Sequence, residues 1–303
     1  RRRFLSDCES HGLPPLPLLI WEDDEDKKVV RLNKFRLGDN LISAYSHGLR
    51  LLSDVGVQIE QLHMESCAMS DSGVTSVTEA LKHLPQLTVL DLSKNHIGKL
   101  GGNALQEGLK GHKAIRTIIL ASCRLSDTVA GGLMAAVRDH PSLTSLDMSS
   151  NALGSTAAVF QPLKDILADQ GQLTTLKFSW NSLNAFSMRV LAEPLRTNST
   201  LTNLDISWNS IQDDGAMALA ASLRFNDTLQ ELYLPHNAIK EKGGMVLGDC
   251  LKENRGLKKV VCNDNPFGTR GGRGILRGLR WMCEFGIKRT MFFDSCNFAY
   301  MDT

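Results

Sequence analysis

The 303-residue sequence is marked first by what it lacks. It has no run of 18 apolar residues, so it offers nothing a bilayer-spanning helix could use. The apolar stretch Pro14–Ile20 is too short and too proline-rich for the core of a signal peptide. Net charge is only +1, which leaves no global pull toward nucleic acid or a membrane surface. Seven cysteines, an odd number, are scattered without C-x-x-C spacing. That excludes a disulfide framework or a thiolate metal site, and it points to a reducing, cytoplasmic compartment. There is no Ser-His-Asp order, no nucleophile elbow and no metal-ligand set, and the eight histidines are dispersed. Gly268-Thr-Arg-Gly-Gly-Arg-Gly274 superficially resembles a phosphate loop but lacks the Gly-Lys-Ser/Thr ending. It reads as the small-residue entry to a helix. Catalysis, resident cofactors and small-molecule substrates are therefore not expected.

What the chain has is repetition. Residues 201–228 read L-x-x-L-x-I-x-x-N-x-I, then Gly215, then an apolar helical run through Leu219 and Leu223. Taking Leu201 as position 1, equivalent starts fall at Leu32, Ile59, Leu87, Ile115, Leu143, Leu173, Leu229 and Leu257. The spacings are 27, 28, 28, 28, 30, 28, 28 and 28, and a tenth, imperfect unit starts near residue 288. Each unit couples a short strand of alternating apolar residues to a helix with apolar residues four apart. Neither half can bury its face alone, so neighbouring units must stack. Helices are about 10 Å wide and strands lie roughly 4.8 Å apart. An α/β horseshoe follows, with a concave parallel sheet and convex helices.

Position 9 of the frame is Asn40, Cys67, Asn95, Cys123, Asn151, Asn181, Asn209, Asn237, Asn265 and Cys296. A buried amide there can bond backbone groups of adjacent units and form a ladder. Asn alternating with occasional Cys, a period near 28 and a full helix per unit resemble the ribonuclease-inhibitor class of leucine-rich repeats. The resemblance implies the leucine-rich repeat solenoid over residue 32 to about residue 300 and leaves the function open.

The chain begins Arg1-Arg2-Arg3 and stops inside a repeat, so it reads as part of a longer protein. Residues 1–28 lie outside the repeat, with the acidic stretch Trp21-Glu-Asp-Asp-Glu-Asp26 after a proline-rich run. They read as a cap on the first unit, or as an acidic docking arm, with residues 29–303 forming the repeat domain. The fifth unit carries two extra residues around 155–164 and Pro162, which should displace its helix start or bulge a loop. Two sequons, at Asn198 and Asn226, fall at helix-to-strand turns and read as polar caps rather than glycan acceptors.

Two surfaces are candidates for partner binding. Position 8 gives Trp180, Trp208 and His236 in consecutive units, which stacking must bring side by side. Position 5 gives Lys177, Asp205 and Tyr233 beside them, and Arg36, His63, Asp91, Ile119, Asp147, Val261 and Phe292 elsewhere. Exposed Trp and Tyr are what interface hot spots are made of, although the indoles could instead staple adjacent turns. The second surface is charged. Residues 252–289 hold ten Lys/Arg against three acids, leaving that segment +7 and the remainder −6. Arg270, Arg273, Arg277 and Arg280, spaced three, four and three apart, make one helical stripe. That stripe suits an acidic protein surface better than nucleic acid, because aromatic interleaving is sparse.

These features read as a non-catalytic protein–protein interaction scaffold. The phrases LTNLDISWNSI and LTTLKFSWNSL, with CNDNPFGTRGGRGILRGL after them, resemble ciliary leucine-rich proteins, including the repeat subunit of the axonemal dynein regulatory complex. That resemblance implies a structural part of a cilium or flagellum, allied to the cytoskeleton. Two alternatives remain: a regulator of a small GTPase, because one family with this repeat type activates a nuclear-transport GTPase, or the sensor repeat region of a nucleotide-binding immune receptor.

Overall fold

The structure, a computed structural model, describes residues 28–54, 56–138, 140–168, 171–284, 290–292 and 296. The cap or docking arm expected at residues 1–28 lies outside them, apart from Lys28. The chain divides into two compact units, Arg1–Asn151 and Ala152–Thr303.

In the first unit, strands β1 (Val29–Arg31), β2 (Gln61–His63), β3 (Val89–Asp91), β4 (Thr117–Ile119) and β5 (Ser145–Asp147) alternate with four helices. These are α1 (Gly38–Asp54), α2 (Asp71–Leu81), α3 (Lys99–Gly111) and α4 (Asp127–Arg138). Each strand pairs in parallel with the next, without offset, at the same frame positions. The second unit holds α5 (Ala157–Ala168), β6 (Thr175–Lys177), α6 (Ala185–Leu195), β7 (Asn203–Asp205) and α7 (Gln212–Leu223). It continues with β8 (Glu231–Tyr233), α8 (Glu241–Glu253), β9 (Lys259–Val261), α9 (Gly268–Glu284) and β10 (Thr290–Phe292). Its five strands again pair in parallel and in sequence order.

The strands are three residues long because frame positions 3 to 5 alone are extended, with position 4 buried in every case from Val30 to Val260. Positions 1, 4 and 6 join the inward helix residues in one apolar layer, exemplified by Leu201, Leu204, Ile206, Leu219 and Leu223, all 3% exposed or less. Burial at roughly 25 cal/mol per Å2 of apolar surface makes this layer the main stabilising term.

Position 9 forms the expected ladder. Asn95 Oδ1 accepts from the backbone N–H groups of Cys67 and Met69 at 3.0 and 3.1 Å, and its Nδ2 donates to Met64 O at 2.8 Å. Cys123 takes over the donor half only, its Sγ lying 3.2 Å from Leu92 O. Burial pushes the Cys67 and Cys123 thiols up to about 12, so both stay protonated.

A second ladder runs at the helix-to-strand turns. Asn226 Nδ2 donates to Leu195 O and Asn198 O, while its Oδ1 accepts from Thr228 N and Leu229 N. Asn198 is held in the same way, and both amides are at most 4% exposed. The sequon asparagines are thus interior ladder residues with no room for a glycan.

The first repeat corrects the sequence reading. Arg31, not Arg36, pairs with His63, so its position 1 lies five residues before Leu32. Asn40 is therefore part of α1 and not a ladder residue, and Phe35 takes position 9 with 48% exposure. Leu32 and Leu37 are both buried and apolar, which is why two registers fitted the sequence. In the fifth repeat the helix starts at Ala157, two residues later in the frame than at Asp71 or Asp127, so the insertion shifts the helix start. Pro162 lies inside α5 without ending it.

The glycine-rich segment of α9 has a packing cause. A Cβ on Gly248 would lie 2.1 Å from Gly274 O, and one on Gly278 would lie 2.3 Å from Gly248 O. α8 and α9 approach closely enough that only hydrogen fits between them.

Candidate interaction surface

Trp180, Trp208 and His236 leave the strands at the same frame position, each in left-handed backbone, with φ of 54°, 54° and 51°. The turn enforces this conformation at position 8 of the other described turns as well, at Lys34, Ser66, Lys94, Ser122, Ser150 and Asp264. Each of the three N–H groups bonds the position-7 carbonyl of the next repeat: Trp180 to Ser207 O, Trp208 to Pro235 O and His236 to Asn263 O, at 2.8 to 3.2 Å. The turns are thereby locked one strand spacing apart, and the rings must stack.

They do. The Trp180 and Trp208 ring centroids are 3.9 Å apart with an interplanar angle of 11°, and Trp208 and His236 are 3.4 Å apart at 20°. Asp264, at position 8 of the following repeat, ends the column with its carboxylate 3.0 Å from His236 Nε2. Asp264 was not singled out from the sequence, though its frame position was the signal. Trp180 remains 52% and Trp208 39% exposed. A non-glycine residue in left-handed backbone costs roughly 1–2 kcal/mol. The turn itself therefore favours small or amide residues here, not indoles.

The position-5 residues behave differently from one another. Tyr233 is half-buried and committed to a network on the sheet face. Its hydroxyl donates to Glu231 Oε2 at 2.7 Å and accepts from Lys259 Nζ at 2.8 Å, and Asn203 Nδ2 also donates to Glu231. Asp205 Oδ1 accepts from Ser207 N and Ser207 Oγ at 2.9 and 2.6 Å, so it closes its own strand-end turn. Asp91 and Ser93 make the same closure, and there burial drives the carboxyl pKa up while bonds from His63 and Ser93 bring it below the usual range. Lys177 pairs in register with Asp205 and is exposed. The face beside the column thus brings Lys177, Asp205 and Tyr233 together on neighbouring strands, with Asp205 and Tyr233 bonded within the chain.

The arginine stripe is real. Arg270, Arg273, Arg277 and Arg280 are all exposed on α9, with Leu276, 38% exposed, between them. Arg270 Nη1 lies 3.5 Å from Glu241 Oε1 of α8.

Among the described residues no cluster of three or more His, Cys, Asp or Glu could hold a metal ion. Among them, too, no helix is long and apolar enough to cross a membrane.

A family model described as Leucine Rich repeat matches residues 83–105, 139–159 and 197–220. The repeats are leucine-rich repeats. They are similar to those of pig ribonuclease inhibitor, 30% identical over 46% of this chain and 30% of that protein. They are also similar to human NACHT, LRR and PYD domains-containing protein 2, 27% identical over 54% of this chain and 15% of that protein. The chain spans less than a third of the length of either relative. A solved structure, leiomodin-1 actin-binding site 2, matches at 21% identity over 50% of this chain and 91% of its own, with a TM-score of 0.42. The ribonuclease-inhibitor-like class expected from position 9 therefore stands, and leucine-rich repeats of this class suggest a protein–protein interaction scaffold.

Proposed function

We propose that this chain is a non-catalytic interaction module that binds a protein partner through the Trp180–Trp208–His236 column, with Arg270, Arg273, Arg277 and Arg280 engaging an acidic partner surface. The observation that carries this reading is the pair of exposed indoles kept at left-handed positions where the turn favours small residues. At 39–52% exposure the stacked indoles keep surface that a partner could bury. Lys177 lies beside them, while Tyr233 and Asp205 support the surface through bonds within the chain. The proposal involves no cofactor, nucleic acid, membrane or small-molecule substrate.

The finer setting we propose is a structural subunit of a large cytoplasmic assembly such as the ciliary axoneme. It rests on the likeness of residues 173–183, 201–211 and 262–279 to ciliary leucine-rich proteins. The relatives named for NACHT and LRR domains favour a second reading, the sensor repeat region of a nucleotide-binding receptor. A small-GTPase regulator is the third outcome to test.

Affinity purification from the native cell separates these, comparing wild type with Trp180→Ala/Trp208→Ala and with Arg270, Arg273, Arg277 and Arg280 all changed to Glu. Loss of a discrete set of axonemal proteins supports the scaffold, and loss of a small GTPase supports the regulator. Both variants keeping every partner while folded would place binding elsewhere.

A further inference from the structure

A second surface lies wholly within the first compact unit and stands independently of the aromatic column. The turns leaving its strands wall an open groove of about 1010 Å3. Lys34 and Lys94, at frame position 8, and Arg36 and Arg124, at position 10, line it, together with His96 and serines at the intervening turns. No carboxylate is among the lining residues.

The acids that border the groove are already engaged. Glu65 holds Lys94 at 2.7 Å. Asp39 accepts from Ser70 N and Gly73 N at the start of α2, and Asp71 accepts from Gly98 N and Leu100 N at the start of α3. By contrast, the side chains of Lys34, Arg36 and Arg124 make no ion pair or hydrogen bond among the described residues. All four cationic residues have positive φ, between 45° and 66°. As with the indoles, the turn does not select long side chains there.

Their spacing defines a ligand. Lys34 and Lys94 stand two strands apart, and Arg36 and Arg124 three, which is about 10 and 14 Å at roughly 4.8 Å per strand. An extended chain covers those distances in about three and four residues. The lining carries no Phe, Tyr or Trp ring on which a nucleobase could stack, and His96 is its single imidazole.

We propose that this groove holds an extended acidic peptide from a partner protein, a run of about five residues whose carboxylates meet Lys34, Arg36, Lys94 and Arg124.

The test is fluorescence anisotropy of the whole chain with a dye-labelled peptide carrying five consecutive aspartates, at 50 and 300 mM NaCl. The groove variant is Lys34→Glu/Arg36→Glu/Arg124→Glu, the milder Arg36→Gln/Arg124→Gln guards against misfolding, and Lys110→Glu/Lys242→Glu, at exposed lysines of α3 and α8 outside both surfaces, is the control. Expected are a tenfold or greater loss in the groove variant, an intermediate loss in the milder one, less than a twofold change in the control, and weaker binding at high salt. The proposal falls if the control variant loses as much as the groove variants. It also falls if a single-stranded oligonucleotide of equal charge displaces the peptide more effectively than unlabelled peptide does. Neutralising Glu22–Asp26 of the chain itself must leave the affinity unchanged. A tenfold gain would mean that the chain's own acidic stretch occupies the groove, overturning a partner ligand.

Discussion

Asn265 Oδ1 accepts the backbone N–H of Asn237, 28 residues earlier, at 3.0 Å. The same oxygen accepts from Ile239 N at 3.1 Å, and Nδ2 donates to Leu234 O and Cys262 O. One fully buried amide therefore satisfies backbone groups of two repeats. Asn265→Ala leaves two buried N–H groups unpaired, at about 1–3 kcal/mol each. Urea denaturation should show a loss of about 3–5 kcal/mol. Asn265→Cys should fall between, because a thiol can still donate to Leu234 O as Cys123 does to Leu92 O. Equal losses for Ala and Cys would show that the thiol contributes nothing at this position.

The α8–α9 contact makes a sharper prediction. A methyl on Gly248 meets backbone atoms of Gly274 and Ile275 at 2.1 to 2.7 Å, and backbone cannot step aside as a flexible side chain can. Gly248→Ala should cost about 3 kcal/mol, at the upper end of ordinary overpacking. Gly48, inside α1, meets nothing within 4 Å of a built Cβ. Gly48→Ala should stabilise by about 0.5–1 kcal/mol, because alanine loses less backbone entropy on folding. Thermal melts of the two variants should shift in opposite directions.

The period, the class of repeat, the Asn/Cys ladder and the arginine stripe could all be read from residue spacing, because a repeat forces equivalent residues into equivalent places. The first repeat could not be placed, since Leu32 and Leu37 both suit a buried frame position and only strand pairing distinguishes them. Asp205 looked like a projecting charge, yet its bond partner is Ser207, two residues away and also in the sequence. The Asp-x-Ser pattern at residues 91, 147 and 205 was the available signal. The left-handed backbone at position 8 was hidden, because Lys, Ser, Trp, His and Asp share no propensity that announces it. The basic groove of the first unit was hidden for the same reason and also by the misplaced first repeat, which set Arg36 on the sheet face.

His140 gives the chain a pH dependence. The residue is 7% exposed, and its Nδ1 accepts from Ser142 N at 3.4 Å. Burial lowers its pKa below the ordinary histidine value of 6.5. The unfolded chain therefore takes up a proton on this residue at a pH where the folded chain does not. Stability is undiminished above about pH 6.5 and falls as pH drops below it, by at most about 1.4 kcal/mol per pH unit from this group. Melting temperatures of wild type and His140→Gln, followed from pH 7.5 to 5.5, should converge as the wild type loses its advantage. Parallel curves would remove His140 from the explanation.

Trp208 separates local structure from binding. Replacing it removes two stacked contacts, with Trp180 and His236, each of about 0.5–1.5 kcal/mol. Trp208→Ala keeps the left-handed cost and loses the stacking, so it should destabilise by about 1–3 kcal/mol. Trp208→Gly loses the same stacking but is relieved of the left-handed cost, and should recover about 1 kcal/mol. Partner binding should follow a different order, with both variants losing it together, because both lack the indole. If Ala costs more than about 4 kcal/mol, or if Gly restores binding along with stability, the column is a staple between turns and the partner contacts another surface.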